Sequence, residues 1–307
     1  MPRIAILDLG TNTFNLLVAE KGEYGKPVFI YSKELPVELG KGGIHKKEIT
    51  AEAAQRAIKA LQAHRLKMDE FKVDEYYAFA TSAVRDADNG KEFTREMRIE
   101  TGIEIKILSG EEEAGWIYEG VKYASVLGKE CSLIMDIGGG STEFIIADEK
   151  IIFWKKSYPL GVSRLYEIFY PADPLAPKKA EVEKHISTML KDMFEAAKIF
   201  KPAELIGSSG SFDSFAEMII QRTSSHEKAV NGYQFPLKEF EKLYADLIVS
   251  SVDERLQMPG LIQMRAPMFA YSAVLTDLTL KRLSLKRMRL SRYAMKEGIA
   301  GDLLSKL

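Results

Sequence analysis

The chain has 307 residues, of which 46% are hydrophobic and 28% charged, with a formal net charge of −1. That length exceeds a usual single core and points to two domains. The balanced charge gives no general drive toward nucleic acid or an anionic membrane, so an anion site must come from local placement of charge. Cys131 is the only cysteine, which excludes an intramolecular disulfide and a cysteine-rich zinc site. It lies in an apolar run and reads as a small buried hydrophobe. The first residues pass straight into a strand-like run with no signal peptide, and no apolar run is long enough to span a bilayer, so the expectation is a cytoplasmic protein.

In chain order, Arg3-Ile-Ala-Ile-Leu-Asp8 and Phe14-Asn-Leu-Leu-Val-Ala19 are apolar strands around a short polar turn. A third strand, Pro27 to Val37, follows a turn at Gly22 to Gly25, and Gly40-Lys-Gly-Gly43 is a loop. Thr50 is suited to cap a helix over 51–68, where Ala54, Ile58 and Leu61 recur at helical spacing. A strand at 74–80 ends in Thr81-Ser-Ala-Val-Arg85; a helix at 91–101, an alternating strand at 103–108 and a helix opening at Ser109-Gly-Glu-Glu-Glu-Ala114 complete the first half. The second half has strands at 131–137, 143–148 and 151–158 and helices at 162–169 and 180–200, the latter two separated by the turn-rich Pro171-Ala-Asp-Pro-Leu-Ala-Pro177. Glu204-Leu-Ile-Gly207 is a strand, followed by Ser208-Ser-Gly-Ser211 and a helix. The rest is helical through 237–249 and 267–283, with a strand at 287–290 and a final helix from Arg292. Alternating strands and helices imply an α/β class with mostly buried sheets.

One element occurs twice. Ile6-Leu-Asp-Leu-Gly-Thr-Asn-Thr-Phe-Asn-Leu-Leu-Val-Ala19 aligns without a gap on Ile134-Met-Asp-Ile-Gly-Gly-Gly-Ser-Thr-Glu-Phe-Ile-Ile-Ala147, at an offset of 128. Asp8 falls on Asp136, Gly10 on Gly138 and Thr13 on Ser141. At the same offset Thr81 falls on Ser209. The period is far too long for a solenoid and suits two copies of one domain. Gly138, Gly139 and Gly140 free the backbone to turn its amides toward an anion, as a phosphate nest requires, with Ser141 and Thr142 beside them. The alternative is a tight turn whose glycines only relieve strain. Asp8 and Asp136, at strand ends, are oxygen donors suited to Mg²⁺ directly or through water, although either Asp taken alone reads first as a turn or cap residue; Glu143, at the loop end, is either a rival catalytic carboxylate or a Mg²⁺ ligand through water.

Five ordered stretches give the chain a family likeness: Asp8-Leu-Gly-Thr-Asn-Thr-Phe14, Ala80-Thr-Ser-Ala-Val-Arg-Asp-Ala-Asp-Asn-Gly90, Leu108-Ser-Gly-Glu-Glu-Glu-Ala114, Asp136-Ile-Gly-Gly-Gly-Ser-Thr-Glu143 and Leu160-Gly-Val-Ser-Arg164. With these the chain resembles the exopolyphosphatase and guanosine pentaphosphate phosphohydrolase family of the actin, Hsp70 and sugar-kinase superfamily, in its short two-domain form. The resemblance implies two duplicated ribonuclease-H-like (actin-like ATPase) domains with an interdomain cleft, here 1–125 and 126–293, with the final helix, 294–307, expected back on the first. The chain departs from the family pattern at Ile206-Gly-Ser-Ser-Gly-Ser211, at Arg265-Ala-Pro-Met and at Leu290-Ser-Arg-Tyr293, where other small or acidic residues are usual.

The resemblance further implies that Glu113 is the carboxylate acting on the attacking water. Physically, three acids at a helix start can raise one pKa by mutual repulsion, while the alternative is that Glu111, Glu112 and Glu113 complement the helix N-terminus with Ser109 as cap, a role expected at least of Glu111. Arg85 carries a planar fork suited to phosphate, or to an ordinary ion pair. Gly10, Thr11, Asn12 and Thr13 form the first phosphate loop, and Ser208, Ser209, Gly210 and Ser211 a further one. The basic stretch Lys281, Arg282, Lys286, Arg287, Arg289, Arg292 and Lys296 suits either a polyanion track or a solvated surface. The four histidines show no ligand spacing.

The leading expectation is therefore a Mg²⁺-dependent hydrolase releasing the terminal phosphate of polyphosphate, with guanosine pentaphosphate as the other substrate, no DNA or membrane partner, and a homodimer suggested by family likeness. A catalytically weak polyphosphate or guanosine tetraphosphate sensor, and an ATP-dependent kinase of the same superfamily, are the alternatives.

Overall fold

A computed structural model describes residues 2–23, 27–170, 172–224 and 226–306. The part of the expected turn at 24–25, and Pro171 of the turn-rich segment, lie outside these residues. The chain divides into two units, residues 1–123 with 295–307 and residues 124–294, and each encloses its own apolar core.

The first unit opens with β1 (Arg3–Leu9), β2 (Thr13–Lys21) and β3 (Pro27–Pro36), then α1 (Ala51–Glu70) and β4 (Glu75–Ala80). Next come α2 (Ser82–Arg85), α3 (Gly90–Thr101), β5 (Ile105–Ile107) and α4 (Gly110–Tyr123). Ile4 to Leu7 and Leu9 are all buried, the pattern of a strand covered on both faces. Helix α1 starts where expected because the Thr50 side chain accepts from the Ala53 amide, 3.2 Å away. Its buried stripe, from Ala53 through Leu61 to Met68, is rich in alanine and follows the helical period.

The second unit contains β6 (Ser132–Ile137), β7 (Thr142–Ala147), β8 (Ile152–Tyr158), α5 (Val162–Phe169), α6 (Lys179–Met189) and α7 (Lys191–Phe200). It continues with β9 (Glu204–Ser208), α8 (Ser209–Arg222), α9 (Leu237–Val249), α10 (Val252–Leu256), α11 (Phe269–Leu283) and β10 (Met288–Ser291). Every residue of β6 and β7 is buried. The last helix, α12 (Met295–Lys306), rejoins the first unit and packs on α4.

Both sheets have five strands and one topology, β3-β2-β1-β4-β5 and, read from the opposite edge, β8-β7-β6-β9-β10. In each, an antiparallel meander is extended by two parallel strands beyond its first strand. The duplication reaches individual irregularities. The second meander pairing is interrupted at Val18/Ala19 in one unit and at Ile146/Ala147 in the other, equivalent positions at the offset of 128.

The structure corrects several expectations. The helix expected over 180–200 is broken at Leu190, whose ψ of 15° interrupts the ladder. In the segment that ends the strand at 74–80, Ser82–Arg85 is a short helix, and the strand expected at 103–108 shrinks to Ile105–Ile107. The final helix begins at Met295 because the residues before it are held in the second unit, where the Tyr293 carbonyl accepts the Ser208 and Ser291 hydroxyls. The correspondence of Thr81 with Ser209 slips by one residue: Asp8 pairs with Phe79, but Asp136 pairs with Ser208. Cys131 is only partly buried, immediately before β6. Among the described residues no helix is long and apolar enough to cross a membrane.

Phe144 is fully buried in β7, edge-on to Tyr158 at 5.9 Å, directly after the glycine loop and its exit residues. Phe144→Ala should cost about 3–5 kcal/mol, read as a lower midpoint in denaturant unfolding; an unchanged midpoint would contradict this view of the core.

Candidate functional site

The two glycine turns are closed by the same bond. The Gly10 amide donates to the Thr13 carbonyl and the Gly138 amide to the Ser141 carbonyl, each at 3.0 Å. Most of the remaining loop carbonyls are tied back into the fold. In the first unit the Thr11 carbonyl accepts from Gly40 at 3.2 Å, and the Asn12 carbonyl from Val37 at 2.9 Å and Glu38 at 2.8 Å. In the second, the carbonyls of Gly138 and Gly139 accept from the first amides of α5, Val162 at 3.0 Å and Ser163 at 2.8 Å. Arg164 Nε donates to the Gly140 carbonyl at 2.7 Å. With these oxygens occupied, the loops present N–H groups: among the described residues the amides of Thr11, Gly139 and Gly140 take no acceptor. Amides turned one way with carbonyls turned the other is the arrangement that favours an anion. Gly161 makes the second loop possible, since a Cβ there would lie 2.2 Å from the Gly139 carbonyl oxygen.

In the first unit a continuous chain of contacts leaves the loop. The Thr11 hydroxyl lies 3.2 Å from the Ser82 hydroxyl at the start of α2. Arg85 ends that helix and donates through Nη1 to Glu113 Oε2 at 2.7 Å and to the Leu108 carbonyl at 3.3 Å. Its Nε lies 3.5 Å from Asp86 Oδ1. Glu113 is only 8% exposed, so this is a buried ion pair within one unit.

The three acids at the start of α4 do not gather. Successive helical residues turn by about 100°, and Glu111 is exposed while Glu113 faces inward. Glu112 forms a reciprocal capping box with Ser109: the Ser109 amide donates to Glu112 Oε2 at 2.9 Å and the Glu112 amide to Ser109 Oγ at 3.2 Å. Lys106 holds its other oxygen at 2.8 Å. The Lys106 ammonium first, then the Ser109 amide and hydroxyl, hold the Glu112 carboxyl down at about 2. All three acids lie in the first turn of α4, with Ser109 as the cap; Glu112 completes the capping box, and Glu112 and Glu113 each have a separate partner.

In the second unit Asp136 and Glu143 are register partners across β6 and β7, so their side chains share a face about 5 Å apart at Cβ. They are 7% and 1% exposed, and Ser157 Oγ donates to Glu143 Oε1 at 2.6 Å. The equivalent pair in the first unit is Asp8 and Asn15, a half-buried carboxylate facing a carboxamide. No group of three or more metal-ligating side chains occurs among the described residues. Thr142 sits in β7 with its hydroxyl on the Leu160 carbonyl at 2.9 Å.

Ser208, Ser209, Gly210 and Ser211 lie at the start of α8, whose cap residue Ser208 makes no side-chain capping bond. Their hydroxyls brace the turn: Ser208 on the Tyr293 carbonyl at 3.2 Å, Ser209 on the Ile137 carbonyl at 3.1 Å and Ser211 on Ser272 at 3.1 Å. Ser209 has a φ of 68°. Arg265 Nη1 donates to the Gly210 carbonyl at 2.6 Å and to Ser214 Oγ at 2.9 Å. The basic stretch near the C-terminus is largely paired. Lys281 meets Asp277 at 2.8 Å, Arg287 meets Glu130 at 2.6 Å, Arg292 meets Asp213 at 3.5 Å and Lys296 meets Glu297 at 3.0 Å. Arg289 makes a bidentate pair with Glu204. Sequence reasoning assigned no role to Ser82, Gly161, Arg164 or Arg265; Gly161 and Arg164 sat inside a noted motif, but nothing local marked them as loop supports.

A profile of the Ppx/GppA phosphatase family matches residues 17–307. Exopolyphosphatase 1 of Mycobacterium tuberculosis is 27% identical over 308 residues, covering 97% of this chain and 87% of that protein. Among solved structures, an exopolyphosphatase from Cytophaga hutchinsonii superposes with a TM-score of 0.95 at 35% identity, covering 99% of this chain and 98% of that one. A family member from Aquifex aeolicus gives a TM-score of 0.80 at 23% identity over 99% and 98% of the two chains, a likeness of fold.

The Glu112 cap generates a pH signature. Its carboxyl titrates lower in the folded chain than its ordinary value of 4.5, so its contribution is complete above that value and is lost as pH falls toward about 2. The difference in melting temperature between wild type and Glu112→Ala should be largest above about pH 5 and shrink on acidification; a pH-independent difference would contradict the charged cap.

Proposed function

Because the chain belongs to the Ppx/GppA phosphatase family, we propose that it is an exopolyphosphatase: water attacks the terminal phosphorus of inorganic polyphosphate, the bridging P–O bond breaks, and orthophosphate leaves a chain one unit shorter. The observation that carries the reading is the linked set in the first unit, from the 10–13 loop through Thr11 and Ser82 to Arg85 and Glu113. Phosphoanhydride hydrolysis needs positioning of the phosphoryl group, neutralisation of its oxygens and an aligned water, and little else.

In this reading, the amides at Gly10 to Thr13, at Gly138 to Thr142 and at Ser208 to Ser211 bind phosphate oxygens. The last group adds the N-terminal dipole of a 14-residue helix. Glu113 accepts a hydrogen bond from the attacking water and takes its proton as the new P–O bond forms, while the leaving chain departs as an oxyanion. Arg85 holds that carboxylate in a single orientation through the 2.7 Å bond from its Nη1.

The donor chemistry in the second unit fits a divalent cation. Asp136 and Glu143 form a buried, oxygen-only pair on one face, and Mg²⁺ is commonly held by one or two carboxylates while keeping several waters. Asp8 is the corresponding single carboxylate of the first unit. When bound, Mg²⁺ would supply charge neutralisation for the phosphate oxygens.

Phosphate release from long polyphosphate and from guanosine pentaphosphate, measured side by side with Mg²⁺, tests the proposal. We expect release from polyphosphate by the wild type. Glu113→Gln should lose at least about a hundredfold in kcat, within the range for a general base, with polyphosphate affinity unchanged. Binding without release by the wild type would make the chain a sensor. Release only from guanosine pentaphosphate would change the substrate, and full turnover by Glu113→Gln would remove the assigned base.

A further inference from the structure

The first phosphate loop carries a neighbour that the reaction does not use. Residues 37–49 leave β3 and fold over the 10–13 turn, their amides at Val37, Glu38 and Gly40 supplying the bonds to the Asn12 and Thr11 carbonyls. Arg56 fixes the same segment from the other side, donating from Nε to the Val37 carbonyl at 2.7 Å and from Nη2 to the Glu38 carbonyl at 2.8 Å.

The segment is built rather than loose. Val37, Leu39, Ile44 and Ile49 are buried. The Glu48 amide donates to Gly43 at 3.1 Å, and a Cβ on Gly43 would lie 2.0 Å from the Glu48 carbonyl oxygen. The Asn89 side chain bonds both the amide and the carbonyl of Ile49, each at 2.9 Å. Lys47 is held at a φ of 53°, a conformation that favours glycine, with its carbonyl accepting from Asp88 at 2.7 Å.

This fixed segment exposes Lys41, His45, Lys46 and Lys47. Lys41 pairs with Glu38 at 2.8 Å, and Asp86 has Arg85 at 3.5 Å. Glu34, Glu48 and Glu52 are exposed acids near the segment in the chain, and Asp88 is an exposed acid brought to it by the bond to the Lys47 carbonyl. Among the described residues Lys46 and Lys47 join no ion pair. The backbone of Lys47 is held in a left-handed conformation beside Lys46, on a segment hydrogen-bonded to the 10–13 loop, so two exposed ammonium groups with no ion-pair partner among the described residues are tethered to that loop.

We propose that Lys46 and Lys47 form an extended-anion subsite. It holds the portion of a linear polyphosphate that continues beyond the phosphoryl groups bound at the 10–13 loop. The inference rests on the polyphosphate reading above and deepens it, because it separates chain-length preference from chemistry. A polyanion held by such cations releases counterions, so its binding weakens steeply with salt, and each lysine contributes to that slope. A substrate too short to reach the subsite gains nothing from it.

The test compares wild type with Lys46→Gln/Lys47→Gln and with Lys46→Arg/Lys47→Arg, using long-chain polyphosphate and tripolyphosphate at several salt concentrations. For the glutamine pair we expect KM for long chains to rise about tenfold at low salt and the slope of log KM against log salt to fall by about 1 to 2. The kcat should be unchanged, KM for tripolyphosphate should stay within about twofold, and the arginine pair should retain wild-type KM. An equal change for both substrates, or none, overturns the subsite. Tripolyphosphate turnover by the wild type reports separately on the hydrolase reading. If it is absent, direct binding of long polyphosphate by the wild type and the glutamine pair still decides the subsite, equal affinities overturning it.

Discussion

A half-buried arginine and a buried carboxylate, Arg85 and Glu113, hold each other at 2.7 Å, and the organisation of the site in the first unit follows from that constraint. A carboxylate at that depth needs a fixed cation, since removing one partner of such a pair commonly costs about 3–5 kcal/mol. The cation is delivered by a helix of only four residues, α2, which is anchored at its other end to the glycine turn through Ser82 and Thr11. The turn, the short helix and the first turn of α4 are thus mechanically one assembly. A carboxylate positioned in this way can orient a water and receive its proton, and that is what the proposed hydrolysis asks of Glu113.

The second unit repeats the scaffold and changes the chemistry. The same turn bond, the same strand order and the same irregularity in the second meander pairing recur at an offset of 128. Yet the position occupied by Asn15 in one copy is Glu143 in the other. One difference converts a carboxylate–carboxamide pair into a carboxylate pair, which gives the second unit the oxygen-donor pair that the proposed cation would take. The parallel strands also slip by one residue, which places Ser208, rather than the counterpart of Phe79, beside the strand-end aspartate.

What was legible in the sequence was what depends on near neighbours. The hairpins, the Thr50 cap and the glycine turns are local, and their residues announce them. The duplication of Asp8 to Thr13 in Asp136 to Ser141 was visible because both copies kept the residues of the turn. Contacts set by folding were not visible. Nothing near Arg85 names Glu113, 28 residues away, and nothing near Gly161 shows that it must admit the Gly139 carbonyl. Three adjacent acids look alike in a string, but helical rotation gives them three environments, with Glu112 as the cap and Glu113 inside. The pairing of the C-terminal basic residues was hidden for the same reason, because partners such as Glu130 and Glu204 are distant in the chain.

The central claim is that Arg85 and Glu113 act as one device in the proposed hydrolysis. A double-mutant cycle on kcat/KM for phosphate release, using Arg85→Met, Glu113→Gln and the double variant, measures it directly. The account predicts strong non-additivity, the double variant being no slower than Glu113→Gln alone. Losses that simply multiply would show two independent contributions and would contradict it.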